Sequence, residues 1–256
     1  MMTRAWLILA EILVHLFLFI SLILFYTLPL SEQYISKEGH MASETSMTRE
    51  NFIDVNLEEK LTLLSAKAGD PVFIRIFKEE SLLEVWIRSE AEYHHLKDYY
   101  ICAYSGYLGP KLQEGDRQAP EGFYKVKKYQ LNPNSKYHLS FNLGFPNRYD
   151  REHNRTGSFL MVHGNCVSDG CYAMTDEKIE EIYALVESAL QKGQKYIQVH
   201  AFPFRMTDVN MALYGDSEWY DFWANLKEGY EYFEAEKLPP LVKVENGLYT
   251  IYEANE

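Results

Sequence analysis

The chain has 256 residues, enough for one large domain or two small ones. Hydrophobic residues make up 47% and charged residues 24%, so disorder over most of the length is excluded. The 25 Lys and Arg residues against 37 Asp and Glu give a net charge of −12. A chain this acidic has no general attraction for phosphate backbones, and we expect no nucleic-acid partner.

The most apolar segment lies at the N-terminus. Residues 5–30 are almost entirely apolar, Glu11 and His15 being the main interruptions, and about 20 apolar residues suffice to cross a bilayer. Arg4 precedes this segment and Glu32 follows it, so the positive-inside tendency predicts that the rest of the chain is exported. We therefore expect residues 1–30 to be an uncleaved membrane anchor or, alternatively, a signal segment that is cleaved. Its length argues against a buried core helix. Residues 31–69 are mainly polar and predict a tether.

From Pro71 onward the hydrophobic pattern has the period of two that is typical of strands. Val72–Phe77 and Leu82–Ile87 are rich in β-branched and aromatic residues, and the short turn between them predicts a hairpin. Further strands are predicted at Tyr99–Tyr104, Gly122–Val126, Tyr137–Leu143, Ser158–His163 and Tyr196–Ala201. The glycine-rich loop, residues 105–122, contains the Gly and Pro residues typical of loops that line a site.

Helices are predicted toward the C-terminus. Thr175 is the N-cap of a long helix that ends at Gly193, and apolar residues recur in it at spacings of three and four. Two shorter helices follow near Asp208–Leu213 and Glu218–Leu226, and Leu241–Tyr252 predicts a hairpin. The fold class is therefore mostly β with helices (α+β).

Residues that suit nucleophilic chemistry cluster after one predicted strand. The strand leads to His163, and Cys171 follows eight residues later, just before the long helix. A helix N-terminus and a nearby imidazole both favour the nucleophilic thiolate. Gly170 leaves room for a substrate carbonyl, whose developing oxyanion the nearby main-chain N–H groups could bind. The residues alone leave two alternatives open: a buried structural cysteine, or a zinc site of His163, Cys166 and Cys171 with an uncommon spacing.

The pattern His163-Gly164 followed by Ser168-Asp169-Gly170-Cys171 resembles the catalytic motif of YkuD-type L,D-transpeptidases. The resemblance extends over about residues 70–250. The segments that carry it further, toward the YafK/DpaA branch of the family, are APEGFY, YSGYLGPKLQEGD, GFPNRYDR, MVHGNCVSDGCYAMTD and FPFRMTD.

The resemblance implies a fold and a chemistry. The fold would be the L,D-transpeptidase β-sandwich or barrel with the long helix after the catalytic cysteine and a C-terminal helical and hairpin extension. Cys171 would be the nucleophile and His163 the general base and acid, and no cofactor or metal is needed. Gly164, Ser168 and Gly170 would support the oxyanion region.

The resemblance also implies partners and domains. Family members attack the diaminopimelate carbonyl of peptidoglycan stem peptides and form a thioester, which transpeptidases resolve with an amine. The YafK/DpaA branch is associated instead with hydrolysis of the bond that joins diaminopimelate to the C-terminal Lys of an outer-membrane lipoprotein. We thus expect a catalytic domain at residues 70–202 and an extension at 203–256 packed on it. A non-catalytic peptidoglycan-binding module is the alternative, against which the intact His163 and Cys171 argue.

Two positions depart from the wider family pattern. Asp169 stands where many members have His; it could bind the cationic end of diaminopimelate, although its carboxylate opposes thiolate formation. Ala173 stands where many members have Arg, so another cation must bind the substrate carboxylate. Arg205 is the candidate, with a structural salt bridge as the alternative. Tyr172 is a candidate to lie over the substrate, with core packing as the alternative.

The cysteines allow one further expectation. If Cys171 stays free, Cys102 and Cys166 form the only possible disulfide in an oxidising compartment. Two buried thiols would look the same in the sequence.

Overall fold

The computed structural model describes residues 55–254, which form two five-stranded sheets, a two-stranded hairpin and five α-helices. The helices are α1 (Val55–Leu63), α2 (Arg148–Glu152), α3 (Asp176–Gln191), α4 (Asp208–Leu213) and α5 (Tyr220–Glu236), with one 3-10 helix at Lys128–Gln130. The strands are β1 (Val72–Phe77), β2 (Leu82–Ser89), β3 (Glu92–Tyr100), β4 (Ala103–Tyr104), β5 (Gly122–Val126), β6 (Leu131–Ser135), β7 (His138–Asn142), β8 (Met161–His163), β9 (Tyr172–Ala173), β10 (Ile197–Phe202), β11 (Leu241–Glu245) and β12 (Leu248–Tyr252). The fold is thus mixed α+β, as predicted.

The two larger sheets differ in strand order, and the second one carries the predicted catalytic residues. The first has the order β3-β2-β1-β10-β5, and the second has the order β4-β9-β8-β7-β6. The pairs β1–β10 and β8–β9 are parallel, and the other pairs are antiparallel. The second sheet carries both predicted catalytic residues, one in β8 and the other directly before β9.

The long helix α3 closes the main core. The Thr175 hydroxyl accepts a hydrogen bond from the Lys178 N–H, so the predicted N-cap is confirmed. The apolar stripe of α3 is buried in a core that it shares with side chains of both larger sheets. The N-cap sets where α3 starts, and the apolar stripe sets which face of the helix is buried. Together they hold in place the preceding segment, which contains His163 and Cys171.

The C-terminal residues cover the other face of the first sheet. In β1, Val72, Ile74 and Ile76 point into the main core, while Phe77 packs in a second cluster with side chains of α5 and the β11–β12 hairpin. Side chains alternate between the two faces of a strand, so every residue of β1 is buried. The predicted hairpin at Leu241–Tyr252 is confirmed, with positive φ at both of its turn residues.

Several predicted bounds were wrong. Leu57 and Leu61 of α1 are buried in the main core, so the polar tether predicted over residues 31–69 ends before this helix. The strand predicted at Tyr99–Tyr104 is the end of β3 and the whole of β4, and α5 runs ten residues past its predicted end.

The predicted membrane anchor, residues 1–30, lies outside the described residues. Within residues 55–254, no helix is both long enough and apolar enough to span a bilayer.

Candidate active site

The pairing of β8 with β9 brings the predicted nucleophile and base onto one face of the second sheet. Val162 pairs with Tyr172 and His163 pairs with Ala173 in parallel register. Cys171 lies one residue before this pairing, and its Sγ accepts a 3.4 Å hydrogen bond from the Met161 N–H. Because alternate residues of a strand share a face, Cys171 and His163 lie diagonally across the two strands.

The Cys171 side chain is almost covered, with 9% of its surface exposed. Burial raises the pKa of the thiol above its ordinary value, and the Met161 N–H opposes this shift. The thiol donates a 3.5 Å hydrogen bond to the Phe159 carbonyl. In the free protein, therefore, the cysteine is a protonated thiol rather than the thiolate expected from its position near a helix. The helix begins only at Asp176, and its dipole acts mainly within the first turn.

His163 has the properties of a base for this thiol. Its ring is 1% exposed, and burial lowers its pKa although the Gly164 carbonyl acts in the opposite direction. Nδ1 lies 2.6 Å from that carbonyl oxygen, which can only accept, so Nδ1 carries the proton and Nε2 keeps its lone pair. The Tyr137 ring stacks on the imidazole at 4.6 Å and limits its rotation. Sequence reasoning did not identify Tyr137, because the tyrosine precedes the base by 26 residues.

The chain between the base and the nucleophile is held by its glycines and serines. A Cβ on Gly164 would lie 2.5 Å from the Asp176 carboxylate, so glycine is required where the chain packs against the start of α3. Ser168 Oγ donates to the Cys171 carbonyl at 2.7 Å and closes the turn. The Gly170 N–H donates to Ser105 Oγ at 2.6 Å, and its φ of +101° suits a residue without a side chain.

These contacts change the predicted role of Gly170 and add a residue to the site. The Gly170 N–H is already bonded to Ser105, so it is not a free oxyanion donor, and the Cys171 N–H is the better candidate. Ser105 was not predicted individually, although it begins the glycine-rich loop that was expected to line the site.

Cys102 and Cys166 form a disulfide with a Cα–Cα distance of 5.2 Å, while Cys171 is free. The zinc alternative built on His163, Cys166 and Cys171 is therefore wrong, because the sulfur of Cys166 is bonded to another cysteine. The disulfide connects the chain before β4 to the turn after His163.

Asp169 and Tyr172, both predicted to bind substrate, have opposite surroundings. The Asp169 side chain is 76% exposed and pairs with Arg117 of the glycine-rich loop at 3.5 Å, so it is open to a ligand. Tyr172 is fully buried, and its hydroxyl donates to the Pro120 carbonyl at 2.7 Å. The prediction that Tyr172 lies over the substrate is wrong, because its side chain packs in the core.

Arg205 does not join the site either. Its guanidinium donates to Glu84 at 2.6 Å and lies over the Phe77 ring, next to the first sheet. Glu84 is 3% exposed, so the arginine neutralises a buried carboxylate, and the structural salt bridge left open by the sequence is the correct interpretation. The prediction that Arg205 binds the substrate carboxylate is therefore wrong. The charge of a different cation, Lys111, lowers the pKa of Cys171 against the larger effect of burial.

The glycine-rich loop is held by a buried ion pair. Lys78 and Glu121 are both fully buried, with their charged atoms 3.0 Å apart. Lys78 Nζ also donates to three carbonyls of the loop, those of residues 107, 109 and 119. Glu121 accepts from the Gly109 N–H and from the Trp223 indole of α5. The C-terminal extension thus supports the loop whose first residue, Ser105, positions Gly170.

Among residues 55–254, one group of side chains has metal-ligand chemistry. Ligand atoms of Glu84, His95 and Asp98 lie within 4.8 Å of one another. Glu84 is already paired with two arginines, and His95 pairs with Asp98 at 2.6 Å, so ion pairs account for the group.

A buried thiol and a neutral imidazole on one sheet face, beside a glycine turn, define a cysteine-nucleophile site of the acyl-transfer class. The model of the L,D-transpeptidase catalytic domain, YkuD, matches residues 71–233. This protein therefore belongs to the YkuD family of L,D-transpeptidase domains.

Curated proteins of two Escherichia coli strains agree with this assignment. The chain is 48% identical over 217 residues to "Putative L,D-transpeptidase YafK" of Escherichia coli K12, covering 85% of each chain, and matches the O157:H7 protein of the same name equally. Among solved structures, the helical cell shape determining protein Pgp2 (K307A mutant) of Campylobacter jejuni is similar with a TM-score of 0.44 and 18% identity, over 71% of this chain and 63% of that one. Bd1075 of Bdellovibrio bacteriovorus has a TM-score of 0.37 and 20% identity, over 54% of this chain and 49% of that one.

Proposed function

We propose that this protein hydrolyses the bond between diaminopimelate of a peptidoglycan stem peptide and the C-terminal Lys of a lipoprotein, through a thioester on Cys171. The observation that carries the chemistry is the placement of Cys171 diagonally across β8 and β9 from a neutral His163. The choice of bond rests on the resemblance of the chain to the YafK/DpaA branch. The predicted export of the chain supports a periplasmic location, with residues 1–30 as the inner-membrane anchor.

The reaction follows from the protonation states. His163 Nε2 takes the proton of the Cys171 thiol as the sulfur attacks the diaminopimelate carbonyl carbon, and the Cys171 N–H stabilises the resulting oxyanion. The same imidazole then gives the proton to the departing lysine amine, which leaves the thioester. A water molecule loses a proton to His163, attacks the thioester and releases the stem peptide, and the thiol regains its proton.

The test uses peptidoglycan sacculi that still carry bound lipoprotein, incubated with the full-length chain and with a Cys171→Ala variant, with products identified by mass spectrometry. With the wild-type chain we expect lipoprotein to be released and a tripeptide stem to remain on the peptidoglycan at each cleaved site. With the variant we expect neither product. Equal thermal unfolding of the two proteins excludes misfolding as the cause, since the change removes a single sulfur atom.

Two outcomes would contradict the proposal. New cross-links between two diaminopimelate residues, with free D-Ala, would identify an L,D-transpeptidase that uses an amine acceptor. Binding to sacculi without any Cys171-dependent product would identify a non-catalytic peptidoglycan-binding module.

A further inference from the structure

A groove made of two adjoining cavities runs along the edge of the first sheet, outside the catalytic pair. The larger cavity, about 820 Å³, lies between β5, α2 and the β11–β12 hairpin. The smaller, about 490 Å³, lies between the end of β5, the 3-10 helix and the chain that precedes β8. Lys125 and Gly144 line both cavities, so the two form one continuous groove, which we call the edge groove.

The edge groove ends at a residue that contacts the nucleophile. Phe159 lines its smaller cavity, and the carbonyl of this residue accepts the hydrogen bond from the Cys171 thiol. The Phe159 side chain is 71% exposed, and its φ of +56° is unusual for a residue with a side chain. Exposed aromatic side chains and strained backbone are both common at binding sites. A ligand in the smaller cavity would therefore lie against the residue that holds the thiol.

The edge groove is positively charged, although the chain as a whole carries −12. Its basic residues are Lys125, Lys127, Arg148, Arg151 and Lys243. The only acidic residue in its lining is Glu245, which accepts hydrogen bonds from the Tyr252 hydroxyl. Within residues 55–254, only Arg148 of the five cations has an ion pair, with Glu152 at 2.8 Å. Arg151 donates to the Pro146 carbonyl, and Lys125 and Lys243 lie over the rings of Tyr196 and Tyr252. None of these partners carries a negative charge, so the positive charges of the groove are not neutralised there.

We propose that the edge groove binds the unreacted carboxylates of peptidoglycan stem peptides. This inference rests on the proposed function. Diaminopimelate has two carboxyl groups, of which one forms the cleaved bond, and the other stays charged on every stem. An acidic protein repels such a polymer at a distance, whereas a positive groove that leads to the nucleophile concentrates it there. Carboxylates repeated along the polymer also match cations that are spread along a groove rather than gathered at one point.

The test measures binding apart from catalysis. Full-length protein with Cys171→Ala is sedimented with sacculi freed of lipoprotein, alone and with the double change Arg151→Glu and Lys243→Glu. Both side chains are exposed and line the larger cavity. Because Arg151 donates to the Pro146 carbonyl and Lys243 lies over the Tyr252 ring, equal thermal unfolding of the groove variant and the control is required before their binding is compared. The matched control carries Lys67→Glu and Lys192→Glu, two exposed lysines that line neither cavity of the groove. The same comparison is repeated on sacculi whose carboxylates have been converted to amides and on sacculi that still carry lipoprotein.

We expect the groove variant to bind about tenfold more weakly than the control at low ionic strength, with the difference shrinking as salt is added. Amidated sacculi should bind the unaltered groove and the groove variant equally weakly. Equal binding by the groove variant and the control would overturn the inference. So would a difference seen only on sacculi that carry lipoprotein, which would assign the groove to the protein part of the substrate. A failed product assay refutes the proposed function and leaves this binding result unchanged, so the two failures are distinguishable.

Discussion

Replacement of Glu121 by Gln tests whether the buried ion pair beneath the glycine-rich loop holds the loop in place. Lys78 is fully buried, and burial lowers its pKa while Glu121 opposes that shift. The substitution keeps the shape of the side chain and removes the counter-charge. Loss of one partner of a buried ion pair costs about 3–5 kcal/mol in free energy of unfolding, because the remaining charge has no compensation.

The cost should depend on pH in a defined direction. Without Glu121, the pKa of Lys78 in the folded protein falls further below its ordinary value, whereas the unfolded chain keeps that value. The unfolded state then binds more protons, so the stability of the Glu121→Gln variant rises as the pH increases toward the ordinary lysine pKa. Measured against the wild-type chain, the loss of stability is largest near neutral pH and smaller at alkaline pH.

The assay is urea unfolding followed by tryptophan fluorescence at two pH values. Glu152→Gln is the matched control, because it removes the same group from the partly exposed pair with Arg148 and should cost about 0–1 kcal/mol. The loop begins at Ser105, which positions the turn before the nucleophile, so kcat/KM should also fall in the Glu121 variant. Equal losses of stability in the Glu121 and Glu152 variants would refute the reasoning.

Three further predictions concern the site. Because burial lowers the pKa of His163 and raises that of Cys171, the pH profile of kcat/KM should be flat from below the ordinary histidine pKa to above the ordinary cysteine pKa. A plateau confined between those two ordinary values would contradict a neutral thiol and imidazole pair. Replacing Cys102 and Cys166 by Ser should reduce the free energy of unfolding by about 4 kcal/mol, as expected from opening a long loop, and denaturant unfolding under oxidising conditions measures this loss against the wild type. The change Ser105→Ala should cost about 1 kcal/mol of stability and lower kcat with little change in KM, whereas a change in KM alone would assign the serine to substrate binding.

Local patterns in the sequence predicted much of the fold. The strand Gly122–Val126 and the helix Asp208–Leu213 have their predicted bounds, and the β1–β2 hairpin follows from alternation over six residues on each side. The missed part of β3 reads Glu-Tyr-His-His-Leu-Lys-Asp, which contains no β-branched residue. It is an edge strand with one largely solvated face, so its polar residues concealed the strand pattern. In α1, two leucines four residues apart were too short a signal to distinguish a helix from a tether.

The sequence by itself determined the motif that places His163 near Cys171, because the two residues are eight positions apart and the cap at Thr175 fixes the chain between strand and helix. It could not determine which charged groups meet. Arg205 pairs with a carboxylate 121 residues away, and Lys78 binds loop groups up to 43 residues away. Such partners are chosen by how the sheets and the C-terminal helix pack, and burial then sets the protonation of the thiol and the imidazole. Neither packing nor burial is encoded in local spacing, so only the tertiary structure decided them.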